Sequence, residues 1–240
     1  GLFMGAISES GPCKLLSDTT TASLEVQGNA LGRTAGCAAG AGQLACLRQK
    51  SAADILSASG VTGSMLKAGV RWAPVPDGIT LTGNPAQQVQ DGQFARVPVI
   101  FGSNHAEGRF FVATEYHLAN LLPLSSSQFA EGINKVAGAD TAFAQQLASL
   151  YTSQTYGSRD KAYGALITDQ LFACNVMRDV EALSRYVPTY QYEFTEAKTP
   201  GIIDPYMAMG AFHGAELRYL FQAKLPGPTL NLSLSTAQQQ

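Results

Sequence analysis

Residues 97–108 read Val97-Pro98-Val99-Ile100-Phe101-Gly102-Ser103-Asn104-His105-Ala106-Glu107-Gly108. The first six form a β-branched and aromatic run without polar alternation, which predicts a strand buried on both faces, as in a parallel sheet. Pro98 lacks the amide hydrogen that a central strand uses, but near the start of the run it is tolerated. The run then opens into a polar loop carrying His105 and Glu107. In open α/β sheets, ligand and catalytic groups gather just beyond the carboxyl ends of strands, and Glu107 stands at such a place.

Upstream, Ala6-Ile7-Ser8-Glu9-Ser10 fits a short strand closed by the breaker pair Gly11-Pro12. Residues 18–35 and 45–57 have near-helical apolar spacing and predict two helices. From Val70 to Asn84, Trp72, Pro74, Pro76, Gly78 and Gly83 break any helix and make an ordered loop; a short helix over Ala86–Gly92 leads into the central strand. Downstream, residues 115–151 hold two or three helices, among them Ser125–Val136 and Asp140–Leu150. A long helical stretch follows from Ser158 to Tyr186, with Leu166, Leu171, Phe172, Val176, Met177, Val180 and Leu183 as its apolar positions. Thr189–Phe194 alternates as a strand does. A loop with Pro200 and Pro205 then reaches Phe212-His213-Gly214 and a short helix or turn over Ala215–Phe221. Strands separated by long helical insertions predict an α/β fold with a mostly parallel sheet and helices on both faces.

The 240 residues suffice for one α/β domain or two small ones. Hydrophobic residues make up 45% and charged residues 14%, which places the chain among folded proteins rather than disordered ones. A net charge of −2 with scattered Lys and Arg provides no basic field for nucleic acid and no polybasic run for an anionic membrane. No apolar stretch reaches the roughly 20 residues that span a bilayer. The chain opens on Gly1-Leu2-Phe3 without an initiator methionine or a signal-peptide pattern. It closes on Gln238-Gln239-Gln240, so it reads as a piece of a longer protein. Cys37 and Cys46 flank a loop rich in Gly and Ala, with no His or further Cys at metal-ligand spacing, so neither a zinc site nor another metal or cofactor is expected. Their spacing is compatible with a disulfide, worth on the order of 2–3 kcal/mol and implying an oxidising compartment. It is equally compatible with two buried thiols.

Of the three histidines, His105 falls in a loop, His117 at a helix surface, and His213 in a loop after a strand. Taken singly, Glu107 reads as a solvated loop carboxylate and His213 as a structural histidine. Together they form a pattern. A hydrolytic triad needs a carboxylate to hold the imidazole tautomer and to stabilise the imidazolium as the nucleophile loses its proton. In the α/β-hydrolase arrangement the chain order is nucleophile, acid, histidine, and Glu107 followed by His213 matches the last two. The nucleophile motif Gly-x-Ser-x-Gly is absent, and Ser8 and Ser10 read as strand-end residues.

Five segments in order carry a family resemblance. Gly1 to Gly11, Cys46-Leu47-Arg48-Gln49-Lys50, Trp72 to Gly78, Val97 to Gly108 and Phe212-His213-Gly214-Ala215-Glu216 together resemble the type-B carboxylesterase and cholinesterase family. The resemblance covers essentially all of residues 1–240 and implies the C-terminal part of a single α/β-hydrolase domain. It implies that Glu107 is the triad acid and His213 the base, with the serine upstream of Gly1. It also implies that Cys37 and Cys46 pair in a disulfide and that Phe110 and Phe111 line the substrate gorge, while Glu216 and Asp169 are structural. The partner of Cys174 would lie beyond residue 240. The expected reaction is hydrolysis of a small-molecule carboxylic ester by a secreted or periplasmic protein, with these 240 residues inactive alone. Two rival readings are a non-catalytic adhesion protein of the same fold, of the neuroligin kind, and a binding domain in which Glu107 and His213 lie apart.

Overall fold

A computed structural model describes residues 2–16, 20–60, 73–118, 121–201, 204–221 and 238. Three strands, β1 (Ala6–Glu9), β2 (Val99–Asn104) and β3 (Thr189–Phe194), form a parallel sheet in the order β1-β2-β3. Ile7 lies opposite Ile100, which lies opposite Tyr190, and the register continues to Glu9–Gly102 and Asn104–Phe194. All three strands therefore end on the same side of the sheet. Pro98 precedes β2, and its carbonyl accepts the Ala6 amide at 3.0 Å, so it lies at the strand's start, where proline is tolerated. Val99, Phe101 and Gly102 are buried as the apolar run predicts, and the strand continues through Ser103 and Asn104, which are buried as well. Ile100 is not: it is 40% exposed, in a row with exposed Ile7 and Tyr190. The expectation of a strand buried along both faces thus fails at this residue, because side-chain type reports an apolar preference and not whether a neighbour covers the position.

The sheet belongs to a compact unit of residues 1–12 and 95–240. After β2 come α5 (Glu107–Val112) and a π-helical turn (Ala113–His117), then α6 (Ser126–Ala137), α7 (Thr141–Leu150) and α8 (Ser153–Tyr156). Next follow α9 (Arg159–Ile167), a second π-helical turn (Thr168–Ala173), α10 (Cys174–Ser184) and, after β3, α11 (Leu217–Phe221). The sequence marks several of these starts. Ser125 caps α6 in a reciprocal box with Gln128, Asp140 caps α7 by accepting from Phe143, and Ser158 caps α9. On α10 the buried positions Asn175, Val176, Asp179, Ala182 and Leu183 recur at helical spacing. This face packs against β2 and β3, whereas Met177, read as one of its apolar positions, is exposed. The predicted helix over 158–186 is thus one continuous path interrupted by a wider turn.

A second compact unit spans residues 13–94. It opens with a short 3₁₀ turn (Cys13–Leu16) and holds α1 (Thr21–Thr34), α2 (Gln43–Arg48), α3 (Ala52–Ser59) and α4 (Pro85–Gln90). The single helix expected over 45–57 is two. Ser51 breaks it by accepting the Asp54 amide while Asp54 accepts the Ser51 amide at 3.2 Å, a capping box that starts α3 afresh. Residues 73–84 form the expected loop, and Asn84 with Pro85 starts α4. Trp72 and residues 70–71 of that loop lie outside the described residues. Cys37 and Cys46 are joined in a disulfide that ties the segment after α1 to α2.

Candidate active site

Because the strands are parallel, the residues just past their carboxyl ends converge. Ser10 follows β1, Asn104 ends β2, Glu107 opens α5, and His213 lies in the segment after β3. Glu107 is fully buried. Its Oε2 accepts the Nδ1–H of His213 at 2.7 Å, and its Oε1 accepts the Asn104 backbone N–H at 2.7 Å and the Ser10 hydroxyl. Three donors converge on one carboxyl group, the environment of an ionised carboxylate. Such a carboxylate can only accept, which fixes the hydrogen of a neutral His213 on Nδ1 and turns the lone pair of Nε2 outward.

Ser10 reaches Glu107 because its backbone is left-handed, with φ of 55°. That conformation costs a non-glycine residue roughly 1–2 kcal/mol. Here the buried hydroxyl bond and the Ser10 N–H to the Gly102 carbonyl at 2.9 Å offset it. Asn104 extends the network. Its Nδ2 donates to the Phe212 carbonyl at 2.8 Å and to Glu216 Oε2, so the end of β2 grips residues on either side of His213. Glu216 is buried, and burial raises its carboxyl above the ordinary range; the Asn104 hydrogen bond opposes this and the charge of Glu107 adds to it. Burial likewise raises the Tyr192 phenol, with the carboxylates of Glu9, Glu216 and Glu107 pushing the same way.

The His213 side chain is 34% exposed, and its Nε2 has no hydrogen-bond partner among the described residues. Three rings hold the imidazole: Phe110, Phe111 and Phe172, with centroids 6.0, 5.3 and 5.1 Å away. Phe110 is half-buried and stacks on Phe212, whereas Phe111 is only 4% exposed and stacks on Phe172. Gly214, at φ of 79°, turns the chain immediately after His213 in a conformation that glycine adopts without strain. Before it, Arg109 Nη1 donates to the Ala208 carbonyl at 2.9 Å.

The structure therefore brings together the two residues singled out as acid and base and sets Phe110 and Phe111 beside the base. Asp169 accepts the Tyr151 hydroxyl at 2.7 Å, and Glu216 braces Asn104. His105 is an exposed loop residue paired with Glu193. His117 corrects the sequence reading: it is buried rather than on a helix surface, because Asp160 and Asp204, distant in sequence, close over both of its ring nitrogens. Ser10, Asn104 and Phe172 were missed as site residues. The strand-end position of Ser10 was visible, but its partner lies 97 residues away, and that pairing exists only once the sheet forms. Asn104, three residues before Glu107 at the end of β2, was the one local signal. Among the described residues, no cluster of three His, Cys, Asp or Glu is arranged to hold a metal ion, and no helix is long and apolar enough to cross a membrane.

Comparison with known proteins gives the family. The carboxylesterase family model matches residues 1–239. The chain is 29% identical over 243 residues to the cAMP-regulated D2 protein of Dictyostelium discoideum, covering 92% of this chain and 41% of that protein. It is 24% identical over 253 residues to a secreted triacylglycerol lipase of Gibberella zeae, covering 94% of this chain and 40% of the lipase. A shorter match, 36% over 115 residues, joins it to Lipase 2 of Diutina rugosa, covering 46% of this chain and 21% of that protein. The chain thus spans about two fifths of the length of the relatives it matches along most of its course. With an α/β architecture, a buried Glu–His pair beyond parallel strands and a family match over nearly every residue, this chain belongs to the carboxylesterase family.

Proposed function

We propose that these residues supply the acid and the base of a Ser-Glu-His carboxylic ester hydrolase, with the serine contributed by a segment outside residues 1–240. The observation that carries this reading is the 2.7 Å bond from His213 Nδ1 to a carboxylate with no solvent exposure, beside a half-open imidazole. His213 Nε2 takes the proton of the attacking hydroxyl as the serine oxygen adds to the ester carbonyl. Glu107 holds the tautomer and stabilises the imidazolium that results. The same proton then passes from Nε2 to the departing alkoxide, leaving an acyl-enzyme; water, deprotonated by His213, releases the acid and regenerates the serine. Phe110 and Phe111 pack beside the imidazole, which supports a role for them in receiving an apolar acyl or alcohol group. The Cys37–Cys46 disulfide and the secreted lipase among the relatives support a secreted or periplasmic site of action.

The 2.7 Å contact also speaks against the binding-domain reading, which needs Glu107 and His213 apart. The test has two parts. Residues 1–240 alone are expected to give no turnover of a p-nitrophenyl ester; turnover lost on His213→Ala would show that the chain holds its own nucleophile and overturn the assignment. In a longer protein that includes the upstream serine, Glu107→Gln presents an amide donor to Nδ1, favours the wrong tautomer and is expected to lower kcat about 10,000-fold with little change in KM. Unchanged kcat in that variant would remove Glu107 from the mechanism.

A further inference from the structure

Away from Glu107 and His213, a second histidine is enclosed between two carboxylates. His117 closes the π-helical turn after α5, and its side chain has no solvent exposure. Its Nε2 faces Asp160 Oδ1 at 2.8 Å, and its Nδ1 faces Asp204 Oδ2. Asp160 comes from the first turn of α9, whereas Asp204 lies in the segment that runs to His213. Backbone amides hold both carboxylates as acceptors. Asp160 Oδ1 also accepts the Leu124 N–H at 2.7 Å, and Asp204 Oδ1 accepts those of Tyr206 and Met207 at 2.7 and 3.3 Å.

An ionised carboxylate can only accept, and a neutral imidazole has a single N–H. A neutral ring would therefore turn a lone pair toward one of the two aspartates in a place that water does not reach. An imidazolium donates to both, and charge-assisted bonds of this kind are roughly twice as strong as neutral ones. Among the described residues, the titratable groups facing the ring are Asp160 from α9 and Asp204 and Tyr206 from the segment before His213. The Tyr206 ring packs edge-on at 5.1 Å, and its hydroxyl donates to the Leu121 carbonyl. Arg159, next to Asp160, is turned instead onto the Leu124 carbonyl at 2.6 Å.

We propose that His117 is a buried imidazolium that latches the segment 204–213 onto α9 and the turn after α5, making it a positioning residue for His213. The positioning part rests on the catalytic reading of His213; the charged state does not. The latch holds the far end of a segment that Arg109 grips at Ala208 and Asn104 grips at Phe212. With its end released, the segment keeps those two ties but loses the fixed approach that sets His213 against Glu107.

The charged state is tested by ¹⁵N spectra of histidine-labelled chain, residues 1–240, at neutral pH, with the His117 signals identified by their loss in His117→Gln. Both ring nitrogens are expected at the shift of protonated imidazolium nitrogens, with slowly exchanging N–H protons. One nitrogen at the shift of an unprotonated ring nitrogen would overturn it. The latch is tested in Asp204→Asn, which keeps an acceptor for Tyr206 and Met207 but sets an amide against the ring. Hydrogen exchange over 204–213 is expected to quicken about ten-fold while β2 and α9 stay protected; unchanged exchange there would overturn the latch. In the esterase-active protein, the same variant is expected to lower kcat about ten-fold with KM little altered, and an unaltered kcat would deny positioning. Absence of any esterase activity in the wild type would count against the catalytic reading alone, because the spectra and exchange rates still decide the rest.

Discussion

Glu216 and Glu107 are two buried carboxyl groups on either side of Asn104, and their surroundings divide their roles. Glu107 receives three donors, one of them the imidazole. Glu216 receives the Asn104 amide, and burial raises its carboxyl above the ordinary range. In the unfolded chain Glu216 loses its proton at the ordinary carboxylate value, in the native state only at higher pH. Between the two the native state holds more protons, so stability falls as pH rises through that window, and the full penalty stands above it. Glu216→Gln keeps a carbonyl oxygen for Asn104 and has no proton to lose. Its thermal midpoint is expected to fall less than that of the wild type as pH climbs from the carboxylate range to neutrality; parallel curves for the two proteins would contradict this. At this scale the sequence was legible in part. Glu107 stood out by its place after a strand and His213 by its order behind an acid, but the Ser10 contact spans 97 residues, and the Asn104 side chain finds its partners at Phe212 and Glu216 only in the folded chain.

The elements show why α5 lies where it does. A Cβ at Gly108 would sit 2.1 Å from the Gly164 carbonyl oxygen and 2.8 Å from Ile167 Cβ, so α5 and α9 meet through a glycine that no larger residue can replace without movement. Gly108→Ala is expected to destabilise by roughly 1–3 kcal/mol, the usual cost of overpacking, read as a lower urea midpoint. An unchanged midpoint would contradict so close a crossing. Since Glu107 is the adjacent residue, the same change is expected to disturb its bond to His213. In the other unit, Cys37→Ser opens a loop closed over a separation of 9 residues. The expected loss is about 2–3 kcal/mol in denaturant unfolding, absent if the disulfide contributes nothing. Periodicity located the strands and most helices, because apolar spacing and caps are local. It did not reach contacts between elements: Phe172 was assigned to the apolar face and is buried, but its packing on His213, like the enclosure of His117 by Asp160 and Asp204, is made only in the folded chain. The break at Ser51 was written in the capping pair Ser51–Asp54, which the apolar spacing of 45–57 outweighed.

Over the whole chain, the parallel sheet gathers the candidate groups at one edge, and the family match extends over residues 1–239. The fold class was legible because a β-branched run, an alternating strand and the helical stretches between them admit few arrangements. The disulfide was not legible from spacing, which left paired and free thiols open; the family resemblance implied it and the structure contains it. In the mechanism proposed above, these residues supply a base held by a buried acid, and a hydroxyl nucleophile completes the chemistry. The most direct measurement is therefore steady-state hydrolysis of p-nitrophenyl butyrate by a longer protein that carries the proposed serine, comparing wild type with His213→Ala. In His213→Ala, kcat is expected to fall at least about 1,000-fold with an unchanged circular dichroism spectrum; retention of wild-type kcat in that variant would rule out His213 as the base.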